Sequence, residues 1–187
     1  MITLFLILNI RISVTKSGFC QKKRKRGISL KWVNHGIVSF SLIYLATGDV
    51  FQAGVSVLGS TFPDRIEGFP SDRMENPERY WRWRRNHRGK SHFLGAYLLF
   101  FVAVMFMKRF FFSESEMAVM GLGLAEYFLI GCILHILEDM LCGKVPVWSL
   151  RKRYGFQLFK VGSVREYLIT IAIFALCIRF IDLKDFF

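Results

Sequence analysis

Apolar residues run along this chain in four blocks separated by basic segments. Residues 36–63 carry one charge, Asp49; 93–107 carry none; 117–137 carry only Glu126; and 167–178 carry none. A helix that crosses a bilayer needs about 20 apolar residues. The 117–137 block meets that length outright, and 93–107 reaches it when Lys108 and Arg109 extend their charged ends to the headgroups. Residues 167–181 form a shorter third span. The 36–63 block is too long for one crossing and is interrupted at Gly48-Asp49, so it predicts two short helices joined as a hairpin that enters and leaves on one side. The expected fold is all-α: a polytopic helical membrane protein with a short helical hairpin and about three transmembrane helices.

Composition agrees with a membrane setting. Of 187 residues, 53% are hydrophobic, yet 26 Lys and Arg against 14 Asp and Glu leave a formal charge of +12. The apolar content excludes a disordered chain, the length excludes a large multidomain enzyme, and four widely spaced cysteines exclude a disulfide scaffold. The cations cluster: eight before Asn34, eight between Arg65 and Lys90, and six between Lys144 and Arg165. Basic loops stay in the cytoplasm, and the hairpin places all three clusters there, with Glu114 and Glu116 in the outer turn and Lys108 and Arg109 against the trend. Residues 1–10 are apolar but too short to span, and the cations follow them instead of preceding them, unlike a signal peptide. The chain therefore divides into a basic N-terminal extension with a short apolar start, 1–32, and a membrane-embedded domain, 33–187. The run Lys22 to Arg26 reads as a topological anchor, with anionic lipid or nucleic acid as alternative ligands. Residues 68–88, rich in Pro, Arg and Trp, read as a loop.

The chemistry concentrates at one end of these helices. His35 precedes the first apolar helix, His87 and His92 lie before the second block, and His135 sits near the end of the third, so all four histidines fall at one membrane interface. His135 and Asp139 are i and i+4, on one helix face, a spacing suited to holding one metal ion; Glu138 is on a neighbouring face. Asp64 and Glu67 follow Pro63, which is expected to stop its helix there. Gly89 permits a tight turn, and Ser91 is the expected N-cap of the next helix. Each residue alone has an ordinary structural explanation. Burying several imidazoles and carboxylates together costs free energy, however, unless they share a divalent cation.

Three runs carry a family resemblance: Phe62-Pro63-Asp64-Arg65-Ile66-Glu67, His87-Arg88-Gly89-Lys90-Ser91-His92, and the segment from Gly131 through His135 and Asp139 to Cys142. They resemble, in the same order, the L-P-D-x-D, H-R-G-x-T-H-S and G-x-x-x-H-x-x-x-D-x-x-T signatures of the YdjM-like family of membrane-bound metal-dependent hydrolases, which also has a histidine where this chain has His35. Pro146-Val147-Trp148 and the pair Gly162 and Glu166 are similar to later family features, and the resemblance covers residues 33–180. Glu67 stands for the family's second Asp, Ser91 for its Thr, Phe93 for its Ser and Cys142 for its last Thr.

The resemblance implies a bacterial inner-membrane hydrolase with its site facing the cytoplasm. The expected ligands are His35, Asp64, Glu67, His87, His92, His135 and Asp139, more than one tetrahedral ion requires. Nitrogen and oxygen donors suit zinc best, with manganese and iron(II) as alternatives. Glu138 or Glu67 is the expected general base. Arg88 and Lys90 within the histidine run, and Arg82, Arg84 and Arg85 among Tyr80, Trp81 and Trp83, suit a phosphoester at headgroup level, such as a phospholipid or lipid-linked phosphate. Two other classes compete: a non-catalytic membrane protein with a structural metal site, and a basic membrane tether for nucleic acid. Glu126, nine residues from His135, falls outside the site, and Asp49 has no assigned role.

Overall fold

The computed structural model describes residues 30–68, 76–112 and 114–184. The basic run Lys22 to Arg26 and most of the expected 1–32 extension lie outside the described residues. What is described is mostly helical. Helices α1 (Leu30–Thr47) and α2 (Val50–Glu67) form the expected hairpin. Gly48 makes the break with φ +69°, a left-handed conformation that favours glycine. Asp49 then caps α2, accepting from the amides of Phe51 at 2.7 Å and Gln52 at 3.2 Å. The acid left without a role is thus a helix cap.

Pro63 does not stop α2, contrary to the sequence expectation: the helix continues one more turn to Glu67. Proline removes the amide that would bond to the Gly59 carbonyl. The Cys132 thiol supplies that bond instead, at 3.2 Å. It can reach because α2 and α5 (Glu116–Cys142) pack backbone to backbone. A β-carbon on Gly59 would lie 1.9 Å from the Phe128 carbonyl oxygen, and one on Gly131 would lie 2.0 Å from that of Ser56.

The segment 68–88, expected as a loop, contains helix α3 (Pro77–Asn86). Its start was written locally: the Asn76 side chain accepts from the Arg79 amide at 3.0 Å, Pro77 occupies the first turn and Glu78 follows. A 3-10 turn (Lys90–His92) then leads into α4 (Leu94–Phe110). Ser91 lies within that turn and does not cap α4, whose N-cap is Phe93 with no side-chain bond.

Helix α5 has 27 residues and, among those described, is the one helix long and apolar enough to cross a membrane. The expected second span corresponds to α4, whose 17 residues extend about 26 Å at 1.5 Å per residue, short of a hydrocarbon core of about 30 Å. The last span corresponds to α6 (Val164–Lys184), which carries Arg165, Glu166, Arg179, Asp182 and Lys184. Both helices expose large apolar side chains, including Leu99, Phe100 and Phe106 on α4 and Leu168, Ile171 and Leu176 on α6. Lys108 reaches Glu126 at 2.9 Å, pairing α4 with α5 away from the histidines.

The basic loop after α5 holds a feature the all-α expectation lacks. Strands β1 (Val145–Ser149) and β2 (Lys152–Tyr154) pair antiparallel as a small hairpin. Val145 and Val147 join Leu94, Tyr97, Cys132 and Ile136 in one buried cluster. That cluster packs α4, α5 and β1 together beneath the histidines.

Candidate metal centre

Four elements deliver five side chains to one point: His35 from α1, Asp64 from α2, His92 from the 3-10 turn, and His135 and Asp139 from α5. The sequence separates His92 and His135 by 43 positions, yet their Nε2 atoms approach to 3.2 Å. Asp64 Oδ1 lies 3.3 Å from His92 Nε2 and 3.7 Å from His135 Nε2. Asp139 Oδ2 lies 3.4 Å and 3.9 Å from the same two atoms. His135 and Asp139 share a face as the i, i+4 spacing requires, and both are buried. Two overlapping groups, His35 with His135 and Asp139, and Asp64 with His92 and His135, bring ligand atoms within 4.8 Å of one another and could each hold a metal ion.

A second ring of groups aims the imidazoles. His35 Nδ1 donates to Glu138 Oε2 at 2.8 Å, and His87 Nδ1 donates to Glu67 Oε2. His92 Nδ1 donates to the Ser91 hydroxyl at 2.8 Å, which donates in turn to Glu67 Oε1 at 2.7 Å. The Gly89 amide also reaches Glu67 Oε1, at 3.3 Å. With the proton assigned to Nδ1 by these bonds, the Nε2 lone pairs of His35, His87 and His92 face inward. A carboxylate behind a metal-binding histidine fixes its tautomer and raises its basicity.

Glu67 and Glu138, expected as ligand or base, therefore sit behind histidines. His87 is more peripheral than the other three: its Nε2 is 3.8 Å from Asp64 Oδ1, and its side chain is 26% exposed against 0% for His92. Cys142 ends α5 as a free thiol outside both ligand groups. Glu126 is engaged by Lys108, outside the site as expected.

Arg88 adopts φ +66° and turns its guanidinium onto Asp139, with Nη2 2.7 Å from Oδ1 and Nη1 3.4 Å from the backbone carbonyl. Its head occupies the space a β-carbon on Gly143 would need, 1.9 Å from Nη1. Asp139 is thus shared, one oxygen toward Arg88 and the other toward the histidines. Sequence reading found no role for Asn34, which donates to Glu166 Oε1 at 2.8 Å and ties α1 to α6 beside His35. Glu166 also accepts from the Gly162 amide at 2.6 Å. No local spacing signals a contact across 132 positions.

The electrostatics fit a site that wants a cation. Burial opposes the charged form of His92, but the facing carboxylates of Asp64, Glu67 and Asp139 outweigh it and raise its pKa to about 9. Burial would raise Asp64 and Glu67, yet the facing imidazoles and, at Glu67, the Ser91 hydroxyl hold both carboxyls below the usual range. Asp64 Oδ1 and His135 Nδ1 are buried without a hydrogen-bond partner. Converging lone pairs from two imidazoles and two carboxylates, one of them unpaired, suit a divalent ion with nitrogen and oxygen ligands.

The same residues carry the match to a known family. A model of the YdjM inner membrane protein family covers residues 30–179, from the start of α1 into α6. The chain belongs to that family. The family's description and the apolar α5 agree on an inner-membrane protein. No curated protein and no solved structure matches the chain.

Proposed function

We propose that the protein is a membrane-bound metal-dependent hydrolase acting on a phosphoester, with phospholipid or a lipid-linked phosphate as substrate class. The observation that carries this reading is the convergence of His92 Nε2, His135 Nε2, Asp64 Oδ1 and Asp139 Oδ2 on one buried point. Zinc suits that donor set best, with manganese or iron(II) as alternatives. When bound, such an ion activates water at neutral pH and polarises a phosphoryl oxygen.

The chain's own groups do the rest. His35 and His92 are held in their metal-binding tautomers by Glu138 and by Ser91 with Glu67. Glu138 Oε1, buried and without a hydrogen-bond partner, is the candidate proton acceptor. Both Glu67 oxygens are occupied, which suits positioning better than proton transfer. Arg88 keeps one ligand carboxylate in place, and its Nε, also without a partner, is available to a phosphoryl oxygen. In this reading α4 and α6 accompany α5 through the bilayer as a multi-pass bundle, and the site faces the cytoplasm.

Metal content by mass spectrometry tests the reading on detergent-purified protein beside a His92→Ala, His135→Ala double variant. The expected result is bound metal in the wild type, at least tenfold less in the variant, and metal-dependent hydrolysis of a model phosphoester by the wild type alone. Equal, near-zero metal in two folded proteins overturns it.

A further inference from the structure

The β1–β2 hairpin is fastened on one side and open on the other. On the inner side, Val145 and Val147 pack with Leu94, Tyr97, Cys132 and Ile136. The chain leaving β2 is tied to the end of α5: the Phe156 amide donates to the Met140 carbonyl at 2.8 Å and the Leu158 amide to that of Leu141 at 2.7 Å. These bonds take up two of the carbonyls that a helix end leaves free. Alternation along β1 turns the next side chain outward, so that Trp148 is 75% exposed where Val147 is 8% exposed. Leu150, Phe156 and Leu158 are exposed as well.

Charge accompanies these apolar side chains. The turn and second strand carry Arg151, Lys152 and Arg153, all exposed, and the segment 140–165 holds six cations and no carboxylate. The height of the hairpin matters too. Leu94 is the first residue of α4, and Ile136 lies six residues before the end of α5, about 9 Å at 1.5 Å per residue. The hairpin therefore sits where α5 leaves the bilayer, between hydrocarbon and water. Exposed tryptophan and leucine beside cations match that layer, the apolar groups entering the acyl boundary and the cations meeting headgroup phosphates.

We propose that the β1–β2 hairpin is an interfacial anchor that inserts Trp148 and Leu150 into the surface of the protein's own bilayer and selects anionic lipid headgroups through Arg151, Lys152 and Arg153. The anchor is independent of the hydrolase reading and requires only that α5 span the membrane. Because β1 is buried against α4 and α5, it holds the histidine end of both helices at a fixed depth. The cations stay at headgroup level, in contact with water.

The test is fluorescence of the full chain reconstituted in vesicles of an equimolar phosphatidylcholine and phosphatidylglycerol mixture, with brominated acyl chains on one lipid or the other. Subtracting the signal of Trp148→Phe from that of the wild type isolates Trp148 from Trp32, Trp81 and Trp83. Trp148 is expected to be quenched by bromine, at least about twofold more when phosphatidylglycerol carries it, and little by aqueous acrylamide. An Arg151→Gln, Lys152→Gln, Arg153→Gln variant is expected to lose the phosphatidylglycerol preference. So is the wild type at about 1 M salt, where charges are screened beyond about 3 Å, which keeps the test decisive if the variant misfolds. Trp148 quenched by acrylamide and not by bromine, or by neither because protein covers it, overturns the anchor. Equal quenching by the two brominated lipids overturns the headgroup selection. Quenching by single-stranded DNA that the triple variant loses, without any lipid preference, overturns the proposal in favour of nucleic acid.

Discussion

At Gly131 a β-carbon would lie 2.0 Å from a backbone oxygen of α2, while at Gly121 in the same helix nothing lies within 4 Å. Gly131→Ala must therefore push the helices apart, at a cost of about 1–3 kcal/mol or more. Gly121→Ala meets open space and gains about 0.5–1 kcal/mol from helix propensity. Thermal melts in detergent should move in opposite directions for the two. Glu138 offers a second test at this scale. Because it accepts from His35 Nδ1, Glu138→Gln weakens the orientation and basicity of that imidazole, and metal affinity should fall about 10–100-fold by competition with a chelator dye. The sequence offered seven candidate ligands, of which His35, Asp64, His92, His135 and Asp139 fall in the two groups that could hold a metal, but it did not say which carboxylates would stand behind imidazoles. Nothing near Glu138 in the chain says that it faces His35, 103 positions away.

Helix α2 owes its last turn to a neighbour. Pro63 frees the Gly59 carbonyl and Cys132 takes it, so Cys132→Ala leaves a buried acceptor unsatisfied, which costs about 1–3 kcal/mol. Adding Pro63→Ala restores an amide to that carbonyl, and the double variant should melt above Cys132→Ala alone. Cys132→Ser, which keeps a donor, should stay near the wild type. The Lys108–Glu126 pair between α4 and α5 predicts a charge-swap signature: Lys108→Glu and Glu126→Lys should each lower the melting temperature, and the combination should recover part of the loss. For α3, the Asn76-Pro77-Glu78 start was present in the sequence, but high polarity and flanking Pro, Gly and Arg outweighed it.

Over the whole molecule, the basic residues and the apolar blocks make one directional claim. If the site faces the cytoplasm, trypsin added to right-side-out vesicles should leave Arg151, Lys152 and Arg153 intact, although all three are exposed, and should cleave them in inverted vesicles. Cleavage from the outside would reverse the orientation. The β1–β2 hairpin belongs to this scale as well. Its strands are only five and three residues long, and β1 gains its stability by burying Val145 and Val147 against α4 and α5. A short strand that depends on a tertiary surface leaves little periodic signal of its own.

The sequence by itself determined the helical class, the hairpin broken at Gly48-Asp49, the long apolar α5 and the histidine and carboxylate candidates, because these follow from local periodicity, charge and spacing along one helix. Only the tertiary structure decided that α2 runs through Pro63, that Ser91 serves His92 instead of capping α4, and that Glu67 and Glu138 stand behind imidazoles. Each depends on a bond between distant segments whose partner becomes available only when the helices pack. Such pairings are set by close approach at Gly59 and Gly131 and by the unmet hydrogen-bonding needs of buried groups, and neither is a property of a residue's neighbours in the chain.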